Sequence, residues 1–257
     1  MDLNVPTVIT LYGRPGTGKT TFAATLPKPL LLIDVKDKGG ESAKSDTLVR
    51  GDITVFPVEK FDDIYDVYDY IKENPTQFKS VCIDHMTALQ EIGMTKVLSE
   101  EGKDQASQRI YGILAGYLKE IMGLYKDLTD VGITPCFICQ DRLEGGEGEG
   151  EDQLTPEVGL GLMPSIAKVL GAASRIIGHT YIQEKVEKLS GAKVHRSIEY
   201  RLRLGPNPYY MTKVTKPKGT PCPAYLVDAS YDDLVTIITG GWKEDKVKKK
   251  VSRNKRK

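Results

Sequence analysis

The chain has 257 residues, 40% of them hydrophobic and 28% charged, a balance that fits a folded globular protein able to bury a full core. No apolar run reaches the roughly 18 residues of a membrane span, and Met1-Asp2-Leu3-Asn4 lacks the basic and apolar stretches of a secretory signal, so a cytoplasmic protein with no membrane partner is expected. The net charge of +1 conceals an asymmetry: residues 243–257 hold nine Lys/Arg against two acids, a net of +7, which leaves −6 on the rest.

The first element is Thr7-Val8-Ile9-Thr10-Leu11-Tyr12, β-branched and apolar, which reads as a buried strand. It runs into Gly13-Arg14-Pro15-Gly16-Thr17-Gly18-Lys19-Thr20, a match to G-x-x-x-x-G-K-[ST] at every fixed position. Thr20 to Leu26 then reads as a short helix stopped by Pro27. Strand, glycine loop and helix is the setting in which inward-facing amides and the positive end of a helix hold phosphate. The chemistry assigns the roles. Gly13, Arg14, Pro15, Gly16, Thr17 and Gly18 form the cradle, and Lys19 reaches the β- and γ-phosphates. Thr20 ligates Mg²⁺ and Thr21 lies near the α-phosphate. The expected cofactors are ATP and Mg²⁺.

Two strands follow, over 29–34 and 52–58, ending in Asp34 and Glu59, and then a helix over 62–73. Ser80-Val81-Cys82-Ile83-Asp84 is a strand of small and apolar residues closed by a carboxylate. A parallel strand there delivers Asp84 beside Thr20 to support the magnesium; the alternative is an Asp that caps the next helix, 87–99. In the helix over 105–129, Ile110, Ile113, Leu114, Tyr117, Leu118, Ile121, Met122, Tyr125 and Leu128 recur at steps mostly of three and four, which marks a face packed on a sheet. The strand 133–140 contains Cys136-x-x-Cys139, half of a zinc spacing, but strand alternation turns those thiols to opposite faces. Cys82, Cys136, Cys139 and Cys222 are therefore read as small core hydrophobes in a reducing compartment.

Beyond Gln140 the character changes. Residues 141–157 form a glycine-rich segment with seven acids and one Arg, longer than an ordinary connection. A helix near 164–173 precedes strand-like runs at 175–185, 196–204 and 209–214, separated by turn signals. These predict an antiparallel extension over about 175–227, followed by a last helix over 232–239. One domain over 1–242 and a basic, disordered tail over 243–257 are expected; the tail either contacts nucleic-acid phosphates or serves solubility. Strands alternating with helices give the fold class: α/β, a mainly parallel sheet covered on both faces.

The phosphate loop, Leu31-Leu32-Ile33-Asp34 with Gly39-Gly40 behind it, the strand ending at Asp84, Phe137-Ile138-Cys139-Gln140 and Lys213-Val214-Thr215-Lys216-Pro217-Lys218-Gly219 together resemble the RecA-like P-loop ATPases. They are most similar to the small phage-encoded ones of nucleotide binding and single-strand annealing. The likeness spans roughly residues 5–230, and only the phosphate loop in it is specific. It implies an ATPase acting on single-stranded DNA in recombination or replication, forming rings or filaments and meeting a single-strand-binding protein. It implies that Gln140 senses the γ-phosphate, unless it is a strand-end amide bound to backbone. Lys213, Lys216 and Lys218 reach a neighbouring subunit's ATP, unless they are a solvated basic edge. The resemblance also implies a Glu two residues after Asp34, where this chain has Lys36; Asp37 and Glu41 are the substitutes, and hydrolysis is then slow or absent. A DNA-contacting loop is implied at 141–157, yet that segment is acidic, which phosphate contact disfavours. Two other readings stand beside it: an ATP-gated, non-hydrolytic adaptor that recruits a single-strand-binding protein, and a KaiC-like regulatory ATPase that does not act on DNA.

Overall fold

The computed structural model describes residues 6–35, 52–145, 157–188 and 194–243. The parallel strands are β1 (Ile9–Tyr12), β2 (Leu30–Val35), β3 (Ile53–Val58), β4 (Ser80–Asp84), β5 (Thr134–Cys139) and the first residues of β8 (Ile176–Lys188). β6 (Asp141–Glu144) and β7 (Glu157–Leu160) form a separate antiparallel ribbon. β9 (Val194–Arg203), β10 (Lys213–Val214) and β11 (Tyr225–Val227) complete the main sheet, whose order is β11-β9-β8-β1-β5-β4-β2-β3, with β10 paired to the start of β8. The mainly parallel sheet with an antiparallel C-terminal extension agrees with the sequence reading.

Alternation along each strand sorts the core into two layers. Tyr12, Leu31, Ile33, Val81, Ile83, Phe137 and Ile177 point to one face. There they meet α2 (Asp63–Glu73), α3 (Met86–Glu100), α4 (Gln108–Asp127) and α5 (Pro164–Ala173). Ile9, Leu11, Leu30, Leu32, Ile138 and Leu202 point to the other face, covered by α1 (Lys19–Ala23) and α6 (Tyr231–Ile238). Cys136 lies in the second layer and Cys139 in the first, so the two thiols face apart and both are buried. Burial in apolar surroundings pushes the Cys139 thiol well up, which suits a packing role. The stripe read on α4 is real: Ile110, Leu114, Leu118, Ile121, Met122 and Tyr125 are all buried.

Three details depart from the sequence reading. Residues 141–157 are not a loop from end to end: both flanks pair, Asp141 opposite Leu160 and Glu144 opposite Glu157. The run 209–214 is a strand only at Lys213–Val214, because Pro206 and Pro208 interrupt its approach and Tyr210 instead makes a single bridge to Val158. Finally, β11 is too short to leave a periodic signal.

Among the described residues, no helix is long and apolar enough to cross a membrane.

Candidate functional site

The strand order places the site. β5 lies between β1 and β4, with Tyr12 opposite Cys139 and Ile83 opposite Phe137. The C-terminal ends of three parallel strands therefore bring Gly13, Gln140 and Asp84 to one edge, where open α/β sheets bind ligands. A cavity of about 710 Å³ opens there, lined by the loop from Pro15, by α1, and by Asp84, His85 and Gln140. That volume suits a nucleotide-sized ligand.

The loop folds as the motif requires. Gly18 caps α1 in the left-handed region at φ 89°, and its lack of Cβ makes that conformation inexpensive. A Cβ on Gly13 would lie 2.4 Å from the Thr180 carbonyl oxygen, so glycine is required there by contact as well as by conformation. Lys19 is buried, and its Nζ donates to the carbonyls of Gly13 at 2.8 Å and Arg14 at 2.7 Å. The ammonium is thus held against the loop's own main chain. Thr17 Oγ1 donates to the Arg14 carbonyl at 2.8 Å, which closes the turn. Pro15, Gly16 and Thr21 line the cavity, while Arg14 points outward, with its Nε 3.9 Å from Asp141 on the ribbon.

Thr20 Oγ1 donates to Asp84 Oδ2 at 2.6 Å. The helix after β4 takes its cap from His85 instead, whose Nδ1 accepts from the Ala88 amide at 3.0 Å. Of the two readings of Asp84, the one that sets it beside Thr20 is the one seen. Gln140 is tied at its main chain, its N–H to Thr87 Oγ1 at 3.0 Å and its carbonyl to the Gly161 N–H at 2.7 Å, while the residue lines the cavity.

The other sequence-predicted residues are not gathered here. Lys213 Nζ donates to the carbonyls of Gly171 and Ala172 at the end of α5, and Lys216 Nζ to the Thr220 carbonyl. Because β10 pairs with Ile176 and Ile177, Lys213 lies at the sheet edge opposite the phosphate loop. Lys218 is exposed. Asp37 and Glu41 lie outside the described residues, as do most of the acidic segment and the tail beyond Lys243.

Three site residues carried no motif. Thr180 on β8 donates to Thr17 Oγ1 at 2.6 Å, the Thr17 hydrogen being engaged by the Arg14 carbonyl, and its Oγ1 lies 3.2 Å from the Tyr12 carbonyl, so it pins the loop from the side. Tyr200 on β9 and Asp228 after β11 form the far wall of the cavity. Only the pairing of β8 with β1 brings them near, and pairing between distant segments leaves no local signal.

Beneath the loop His179 is buried beside Tyr12 and stacks on Tyr210, with ring centroids 4.4 Å apart. Arg203 lies over Tyr210 at 4.3 Å and over Tyr181 at 4.7 Å. Burial first, then the charge of Arg203, pulls the His179 pKa down to about 4, so the imidazole is neutral near pH 7.

The chain is similar in structure to a KaiC-like protein from Pyrococcus horikoshii at 14% identity, with 77% of each chain covered and a TM-score of 0.39. The flagellar accessory protein FlaH from Methanocaldococcus jannaschii matches at 12% identity over 87% of this chain and 90% of that one, TM-score 0.38. The genome-packaging NTPase of Sulfolobus turreted icosahedral virus 2, in complex with ATP-gammaS, matches at 12% identity over 70% and 76%, TM-score 0.36. No curated protein matches the chain in sequence. The family model described as "AAA domain" matches residues 6–199, which holds the phosphate loop, Asp84, Gln140 and Thr180, and on that match the chain belongs to the AAA-domain family of P-loop NTPases.

Proposed function

We propose that this chain is an ATP-binding, RecA-like protein of phage DNA recombination or replication. It binds single-stranded DNA in an ATP-influenced way, promotes annealing or strand pairing, and works as a ring or filament. The observation that carries the nucleotide half is the 2.6 Å contact of Thr20 with Asp84 at the mouth of a glycine loop that also holds Lys19. The DNA half is supported by the resemblance and by the net +7 of residues 243–257, a charge suited to phosphate backbones.

Thr20 and Asp84 fit a magnesium ion: both offer hard oxygen donors on one wall of the cavity, as Mg²⁺ beside phosphates demands. When bound, the ion would neutralise charge on the β- and γ-phosphate oxygens. The chain's own residues do the rest. The loop amides fix the phosphates, Lys19 adds a positive charge at the β/γ end, and Gln140 faces the terminal group. Thr180 holds the loop in the binding shape.

A second reading keeps ATP as a conformational ligand with little turnover. Among the described residues lining the cavity, Asp84 and Asp228 are the only carboxylates, and Lys36 stands where the resemblance places a water-polarising Glu. A KaiC-like regulator that ignores DNA is the third. ATPase rate and particle size, with and without single-stranded DNA, separate them. The first reading expects DNA-stimulated phosphate release and larger particles, the second expects larger particles without turnover, and the third expects no response to DNA.

A further inference from the structure

We propose that Tyr200 and Asp228 form the nucleoside subsite of the cavity: Tyr200 stacks on the base, and the Asp228 carboxylate accepts from a donor group of the nucleoside. The inference rests on the nucleotide reading above and extends it from the phosphates to the rest of the ligand.

The cavity of about 710 Å³ is lined by more than phosphate-binding groups: besides the loop, Lys19 and Asp84 it takes in Tyr200, Arg201, Leu202 and the turn at Asp228. Tyr200 lies where this face of the sheet opens: Leu202 and Leu226 next to it are buried, at 3% and 7% exposure, while Tyr200 at 45%, its cross-strand partner Ile182 at 45% and Ile198 at 65% are exposed. Its ring lies next to the loop, since a Cβ on Gly18 would come within 3.5 Å of its Cδ1. An aromatic ring left open beside a phosphate site is a platform for a base.

Asp228 is built into place. It is the single non-glycine residue with positive φ among the described residues, at 47°, a conformation that costs free energy and marks a turn held by its surroundings. Its N–H donates to the Tyr200 carbonyl at 2.9 Å, which couples the turn to the platform. Its neighbour Ser230 is already committed, capping α6 through Asp233. The carboxylate of Asp228 has no ion-pair partner among the described residues. A carboxylate accepts and cannot donate, so it selects N–H or O–H groups and repels phosphate. Lys19 draws the phosphates to the loop and Asp228 repels them, so the two charges favour one direction of the ligand, while Arg201 in the same lining is already paired with Glu199. The donor is either the 6-amino group of the base or the ribose 2′-hydroxyl, and both present the same chemistry.

The test uses the full chain and binding calorimetry with ATP, inorganic tripolyphosphate, 2′-deoxy-ATP and the triphosphate of purine riboside, which lacks the 6-amino group. Tyr200→Ala is expected to weaken ATP about tenfold or more while leaving tripolyphosphate unchanged, and Tyr200→Phe to bind ATP as the native chain does. Asp228→Ala is expected to abolish the preference for ATP over one of the two analogues, and which one identifies the donor. Unchanged ATP affinity in Tyr200→Ala, or an equal loss of tripolyphosphate, overturns the platform. Unchanged ratios for both analogues in Asp228→Ala overturn the acceptor. Failure of the native chain to bind even tripolyphosphate fells the nucleotide reading itself, a result distinct from either.

Discussion

Thr20 and Asp84, 64 residues apart in sequence, are joined by a 2.6 Å hydrogen bond from the threonine hydroxyl to the carboxylate. Thr20→Val keeps the shape and removes the oxygen. Its expected effect is to lower ATP affinity in magnesium to the level seen in EDTA, while binding in EDTA is unchanged. The variant also leaves a buried carboxylate one partner short, which costs about 1–3 kcal/mol of stability in the free protein. Titration with and without magnesium, with urea denaturation alongside, checks both.

Lys19 carries the phosphate charge but also ties two loop carbonyls. Lys19→Ala is expected to abolish ATP binding and to lower thermal stability only slightly, because the two bonds it loses are to carbonyls beside the cavity, which water can satisfy. Tight magnesium-dependent binding by this variant would reject the phosphate-loop assignment.

Gly13 and Gly16 make a contrasting pair. A methyl group at Gly13 meets the Thr180 carbonyl at 2.4 Å, whereas one at Gly16 meets nothing within 4 Å. Gly16→Ala pays only for its positive φ, about 1–2 kcal/mol. Gly13→Ala also collides with backbone and is expected to cost more than that. Adding Thr180→Ala should not rescue it, since the obstructing oxygen belongs to the main chain. Denaturation midpoints of the two single variants and the double variant decide this.

The pH dependence follows from His179, whose folded pKa of about 4 lies below the ordinary value of 6.5. The unfolded chain takes up this proton first as pH falls. Stability from His179 is therefore complete above about pH 6.5 and is lost as pH drops toward 4. His179→Phe is expected to flatten that fall by an amount on the order of 2 kcal/mol, measured as the difference in unfolding free energy between pH 7 and pH 4.5. A slope equal to the native one would show that the histidine is not held neutral.

Charge alone motivates the last expectation. The acidic segment 141–157 and the basic residues 243–257 carry opposite net charges of −6 and +7, and pairing between them in the absence of DNA would mask the tail. Deleting 243–257 is expected to weaken single-strand binding and to make it less sensitive to salt. Unchanged affinity and salt slope reject the idea.

The sequence made the phosphate end of the site legible because the loop is a local device: eight contiguous residues specify both a conformation and a charge. Asp84 was readable through the loop itself, which calls for a strand-end carboxylate beside Thr20; the sheet order, which no local pattern encodes, is what brings the two together. Burial was well forecast in α4, where six residues of the predicted stripe are buried at helical spacing. Thr180, Tyr200 and Asp228 left no trace, since what matters about each is the segment it lies against. The lysines of 213–218 were read as reaching a neighbouring subunit or as a solvated edge; within this chain Lys213 donates to the carbonyl end of α5, a contact no local pattern announces.

Gln140 is clamped on both sides, by Thr87 at the start of α3 and by Gly161 just past the ribbon. A residue so gripped has little slack of its own. If its side chain is drawn toward a ligand, the pull is shared between a helix and a hairpin whose outer end leads straight into the chain's most acidic stretch.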